Sequence, residues 1–346
     1  MKAAIFKGPG ELALEDVPTP VPGPGEVLFK VGANTVCGTD VRILRGEKSK
    51  GIDRGVVLGH EIAGEVVELG EGVTQYQVGD RFAVVPSVMC GSCWYCTHGE
   101  EQHCESLELF GYKINGGLAE YGILPAQAVR QRNAVVTLSP DLPFEHMALM
   151  EPLSCVLNGR ENYQQKLGET IVIMGAGPIG LLHAALARLG GASHVVVSDL
   201  SPSRRQTALE LGATHVVDPA QQSLDEVVRG LTQGRGADIA VICIGRGELF
   251  VEALGLVRKG GRVNAFAGFP AGGSVEFDPN TIHYGEIDVT GTSNSRREHG
   301  EAAMRLLESG VIDASKIVTH EFTLDDVLEA IEFSASGAGV KVVVKP

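Results

Sequence analysis

Several things are scarce in this sequence. It has one tryptophan in 346 residues, and aromatic side chains make up 5%, against 45 glycines. A chain so built relies on turns and close backbone approaches more than on large aromatic anchors. No run reaches the roughly 18 apolar residues of a membrane-spanning helix. Met1 to Lys7 lacks the apolar stretch of a secretory signal, so a cytoplasmic location is expected. Basic residues are in deficit, with 29 Lys and Arg against 43 Asp and Glu and a formal net charge of −14. The pairs Arg204-Arg205 and Arg296-Arg297 are too small to make a basic patch, so nucleic acid and anionic membranes are excluded as expected partners. Cysteine is sparse outside one segment: of seven, four lie between Cys90 and Cys104. Without a secretory signal, such clustering points to metal rather than disulfides.

The length predicts about two domains, and a 44% hydrophobic content is ample for buried cores. The first third reads as short strands, Ala3 to Phe6, Glu26 to Val31, Ala63 to Leu69 and Arg81 to Val85. They are separated by turn signals such as the proline- and glycine-rich Pro18 to Gly25. From about Thr170 strands alternate with helices. Strands at Thr170–Met174, Ser193–Ser198, His215–Asp218, Asp238–Ile244, Gly261–Ala267 and Ile287–Thr292 enclose helices at Pro178–Leu189, Ser203–Leu211 and Leu224–Leu231. That rhythm predicts an α/β chain: an irregular β domain, then a six-stranded, doubly wound parallel sheet. Beyond it come helices at Arg297–Leu307 and Leu324–Phe333, a strand near Val318 and a terminal strand Val340–Val344.

Gly175-Ala176-Gly177-Pro178-Ile179-Gly180 has the spacing G-x-G-x-x-G, weak alone in a glycine-rich chain. Here it follows the apolar strand and opens a helix, which suits a dinucleotide: the first glycine makes the tight turn, the second admits the pyrophosphate and the third lets helix meet strand. Asp199 ends the second strand, 24 residues after Gly175. A carboxylate there accepts hydrogen bonds from the adenosine ribose and repels a 2′-phosphate, which predicts NAD over NADP. Arg204 is expected beside the adenine or ribose.

Cys90, Cys93, Cys96 and Cys104 spell C-x2-C-x2-C-x7-C. Four thiolates in fifteen residues close a tetrahedron around Zn²⁺ with no open position, hence a structural site. An iron–sulfur cluster is the rival, since C-x2-C-x2-C also serves ferredoxins. His98 and His103, within the lobe, are surplus to four sulfurs.

Three further segments complete a pattern: Cys37-Gly38-Thr39-Asp40, Gly59-His60-Glu61 and Met150-Glu151-Pro152-Leu153-Ser154. With Val78-Gly79-Asp80-Arg81, Gly116-Gly117-Leu118-Ala119-Glu120-Tyr121, the four cysteines and the glycine fingerprint, the chain resembles the zinc-containing medium-chain dehydrogenases/reductases along essentially its whole length. It looks nearest the sorbitol or polyol dehydrogenase branch, with threonine dehydrogenases close. The resemblance implies a GroES-like catalytic domain over 1–153, a Rossmann domain over 154–292 and a C-terminal segment, 293–346, that returns to the first. It implies a second, catalytic zinc held by Cys37 and His60, with Glu61 as third ligand and Glu151 orienting a water, or Glu151 as the ligand instead. Thr39 is then the proton-relaying hydroxyl, Asp40 orients His60, and Phe110 is a wall of the substrate pocket. The implied reaction passes hydride between a secondary alcohol of a polyol, sugar alcohol or similar small molecule and NAD, in a homo-oligomer that the resemblance makes a tetramer.

Two departures matter. Arg42 stands where many alcohol dehydrogenases have a proton-relay histidine, and arginine does not titrate near neutrality. Thr292-Ser293-Asn294 replaces the arginine–aromatic pair of sorbitol dehydrogenases, which weakens sorbitol as the specific substrate. The competing readings are an L-threonine 3-dehydrogenase and, from another class, a non-catalytic nucleotide-binding or structural member. The intact Cys37, Thr39, His60 and Glu151 oppose the latter, and they oppose a zinc-free quinone reductase as well.

Overall fold

A computed structural model describes residues 1–270 and 272–346. The chain forms two compact units, one of Met1–Ser154 with Asn294–Pro346 and one of Cys155–Ser293.

The first unit begins with strands β1 (Lys2–Gly8), β2 (Glu11–Asp16), β3 (Val27–Thr35), β4 (Glu61–Leu69), β5 (Arg81–Val84), β6 (Ser87–Val88), β7 (Glu108–Leu109), β8 (Tyr121–Leu124) and β9 (Ala134–Val136). β3 is the spine, pairing antiparallel with both β4 and β8. It runs four residues past the expected end at Val31, because the ladder to β4 continues through Asn34↔Ile62 and Thr35↔Glu61. Phe29 and Phe82 meet edge to face at 5.4 Å within this unit's core, a favoured aromatic geometry.

The second unit is a parallel sheet of β10 (Thr170–Met174), β11 (His194–Ser198), β12 (His215–Val217), β13 (Ala237–Ile242), β14 (Val257–Ala265) and β15 (Asp288–Gly291). Their order is β12-β11-β10-β13-β14-β15, the doubly wound arrangement whose order reverses beside the first strand. Every residue of β10 is buried, as expected of a strand covered on both faces. The helix Pro178–Leu189 follows, with Pro178 in its first turn, where a missing N–H costs nothing. Ser201 caps the helix Pro202–Glu210, its side chain accepting the Arg204 N–H.

The chain then contributes β16 (Val318–Thr323) and β17 (Lys341–Lys345) to the first unit. β17 pairs antiparallel with β3 through Val343↔Thr35 and Val344↔Asn34, and Val36 N–H donates to Val342 O. In that register Lys341 lies level with Cys37. Among the described residues no helix is long and apolar enough to cross a membrane.

Candidate active site and metal centres

Cys37 lies just past the end of β3 and caps the helix Gly38–Leu44, while His60 and Glu61 lead into β4. The Cys37 sulfur, a His60 nitrogen and a Glu61 oxygen lie within 4.8 Å of one another. Soft, borderline and hard donors at that separation suit Zn²⁺ with one position left for a further ligand. Asp40 is wholly buried in the helix's first turn. Its Oδ2 accepts the Cys37 N–H at 2.9 Å. Its Oδ1 faces His60 Nδ1 at 3.4 Å, and neither atom hydrogen-bonds elsewhere among the described residues. Burial disfavours charge on His60, but Asp40 and the Cys37 sulfur outweigh it and hold the imidazole pKa well above its ordinary value. The site therefore favours positive charge where a cation would bind. Thr39, half-buried, sits in the same helix.

Glu151 is buried in the first turn of the helix Met150–Tyr163 and stands outside the three-residue cluster. Phe110 has no exposed surface and packs in the core with Val88 and Phe82.

Sequence reasoning missed three residues here. Lys341 Nζ lies 2.5 Å from Glu61 Oε2 and donates to Oε1 at 2.6 Å. Burial lowers the Lys341 pKa, but Glu61, Cys37 and Glu151 together raise it above the ordinary lysine value. Thr35 donates its hydroxyl to Glu61 Oε2, as their cross-strand pairing allows. Tyr112 sets its ring edge-on to His60 at 5.7 Å and takes a 3.1 Å contact from Lys48 Nζ at its hydroxyl. The one available signal was a lysine opening the valine run of β17.

The four lobe sulfurs also lie within 4.8 Å of one another, with Cys90–Cys96 at 3.9 Å and Cys93–Cys96 at 3.5 Å. Zn–S bonds of about 2.3 Å in a regular tetrahedron place sulfurs about 3.8 Å apart, whereas a disulfide needs about 2 Å. Backbone N–H groups of Ser92 and Cys93 point at Cys90 Sγ and pull its pKa down to about 6. Burial pushes Cys96 up to about 12. The His98 ring instead stacks on Trp94 at 4.2 Å.

In the second unit Gly175 has φ +107°, and a Cβ on Gly180 would fall 1.8 Å from Gly175 O. Neither position admits a side chain. A Cβ on Gly177 would meet nothing within 4 Å, so the loop leaves open space over its backbone, which suits an incoming pyrophosphate. Ile179 follows Pro178 in the helix's first turn. The Asp199 carboxylate accepts Ala176 N–H at 2.7 Å and Ser201 N–H at 2.8 Å. Those amides fix the acid beside the glycine loop. Arg204 lies in the first turn of the next helix.

Residues 23–133 match the family model of the alcohol dehydrogenase GroES-like domain, and residues 178–309 match that of the zinc-binding dehydrogenases. The chain is 35% identical to L-threonine 3-dehydrogenase from Pyrococcus furiosus, over 98% of this chain and 97% of the relative. It is 32% identical to sorbitol dehydrogenase from Bacillus subtilis, over 100% and 97%. Its fold matches, at a TM-score of 0.93 and 34% identity, a crystal structure from Sinorhizobium meliloti described as a zinc-binding dehydrogenase bound to NADP, covering 100% of this chain and 99% of that one. The chain belongs to the zinc-containing alcohol dehydrogenase family, the zinc branch of the medium-chain dehydrogenases/reductases, and is an oxidoreductase that uses zinc and a nicotinamide cofactor.

Proposed function

We propose that the protein oxidises a secondary alcohol of a polyol, sugar alcohol or related small molecule with NAD, and holds two zinc ions per chain. The observation that carries this is the convergence of Cys37, His60 and Glu61 in a buried site that favours a cation. Cys90, Cys93, Cys96 and Cys104 hold the second ion, which is structural. When bound, the catalytic ion is a Lewis acid toward the substrate oxygen, and NAD accepts the hydride. The protein's own residues do the rest. Asp40 orients His60 through the ring nitrogen that faces it. Thr39 relays the alcohol proton, and water steered by Glu151 replaces the route that Arg42 closes. Glu151, beyond the ligand cluster, orients water in the site. Gly177 makes room for the cofactor's phosphates, Gly175 and Gly180 shape the tight turn and the close helix packing beneath them, and Asp199 receives the ribose hydroxyls. The same reading, from the family resemblance, makes the enzyme a cytoplasmic homotetramer. A second reading, L-threonine 3-dehydrogenase, rests on the 35% identity to the Pyrococcus furiosus enzyme.

A panel of polyols, sugar acids, simple alcohols and L-threonine, assayed with NAD by NADH absorbance, separates these readings. Elemental analysis of the same protein should find about two zincs per chain. One zinc or none, with activity that survives a chelator, would overturn the two-site assignment.

Cofactor choice has its own test. Asp199→Ser should raise KM for NAD about tenfold, the value of one charge-assisted hydrogen bond, and leave kcat within about twofold, since the contact is remote from the hydride. A wild-type kcat/KM that favours NADP would reverse the assignment, and the NADP-bound relative makes that comparison necessary.

A further inference from the structure

A lysine inside a buried strand is costly unless it has a partner. Lys341 opens β17, whose next three residues are valines, and its side chain is 4% exposed against 1% for Glu61. Its ammonium contacts both oxygens of that carboxylate, and Thr35 takes a further lone pair of Oε2. The carboxylate is therefore already neutralised by the ammonium, while the Cys37 sulfur and the His60 nitrogen stand within 4.8 Å of it. A dication entering there meets an ammonium that shares its anionic ligand.

We propose that Lys341 is a positioning residue that acts as a built-in counter-cation: it holds Glu61 when the catalytic site is without metal, and competes with the metal for that carboxylate when it is loaded. The proposal rests on the reading of Glu61 as a zinc ligand. Two consequences follow from Coulomb's law. The metal-free site is stabilised by the lysine, because Glu61 would otherwise be a buried, unpaired acid. The loaded site is weakened by it, because the two cations repel across a few ångströms of low-dielectric protein. A lysine that merely braced the strand would do neither selectively, since its loss would harm both states alike.

The test is release of zinc from the holoenzyme to a chelator of known affinity, followed with a colorimetric indicator. The four-cysteine zinc, which no variant touches, serves as internal reference. Lys341→Met should hold the catalytic zinc at least about tenfold more tightly than wild type. Lys341→Gln, which keeps a donor for Glu61 without the charge, should move the same way, and Lys341→Arg should stay within about threefold of wild type. After zinc is stripped from the catalytic site, Lys341→Met should melt below stripped wild type, whereas the loaded forms should melt alike. Unchanged or weaker zinc retention in both Lys341→Met and Lys341→Gln, with Glu61→Gln losing zinc readily, overturns the counter-cation while leaving Glu61 as a ligand. Unchanged retention in Glu61→Gln overturns the ligand assignment and the counter-cation with it.

Discussion

His60→Ala is expected to lower kcat/KM by at least about a thousandfold and to reduce zinc from about two ions per chain to about one. Three donors converge on the site, and His60 supplies its one nitrogen ligand. Its loss leaves a thiolate and a carboxylate that Lys341 already engages. Polarisation of a substrate oxygen by a metal is worth several kcal/mol, and about 4 kcal/mol corresponds to about three decades in rate. The fold should survive. The imidazole touches one aromatic ring, Tyr112, and the surrounding core draws on β1, β17 and the helix Val327–Ser336. Circular dichroism and the remaining lobe zinc check that point. Wild-type activity with both zincs retained would remove His60 from the metal site.

What was legible in the sequence was local. The glycine fingerprint, the cysteine lobe and the strand–helix alternation each lie within a few tens of residues, and their spacing is itself the geometry. The helix Pro178–Leu189 keeps its expected ends because Gly177 and Pro178 start it and Gly190 follows its last residue. The helix Met150–Tyr163 was not foreseen, because Pro152 and Gly159 interrupt its pattern, although a proline in a first turn is harmless. Cys37, His60 and Glu61 were found only through a resemblance, since a lone cysteine or histidine carries no periodic signal. Their partner Lys341 left one trace, a lysine opening a valine run, that does not name its partner. It is 280 residues from Glu61, and only the antiparallel return of β17 along β3 brings it level with Cys37. The end of β3 was misjudged for the same reason: the residues after Val31 join the strand through their pairing with β4 and β17.

Cys93→Ser is expected to give the largest loss of stability. The lobe between Cys90 and Cys104 has almost no apolar interior: Gln102 and Cys104 alone among its residues are buried, and Trp94 is 57% exposed. Its one α-helix, Trp94–Thr97, is four residues long, far below the length at which a helix stands alone. Metal coordination must replace the missing core, and in such lobes the binding energy is folding energy. Cys93 is central to the arrangement. Its sulfur lies 3.5 Å from Cys96 Sγ and within 4.8 Å of the other lobe sulfurs, so a serine removes one of the four ligands. The variant should carry about one zinc per chain, melt more than about 5 °C below wild type and aggregate through the three thiols left open. Scanning calorimetry and elemental analysis on one preparation measure both effects. The same preparations decide between zinc and an iron–sulfur cluster, because a zinc lobe leaves the wild-type protein colourless. Two zincs and an unchanged melting midpoint in Cys93→Ser would mean that the lobe folds without closing its tetrahedron.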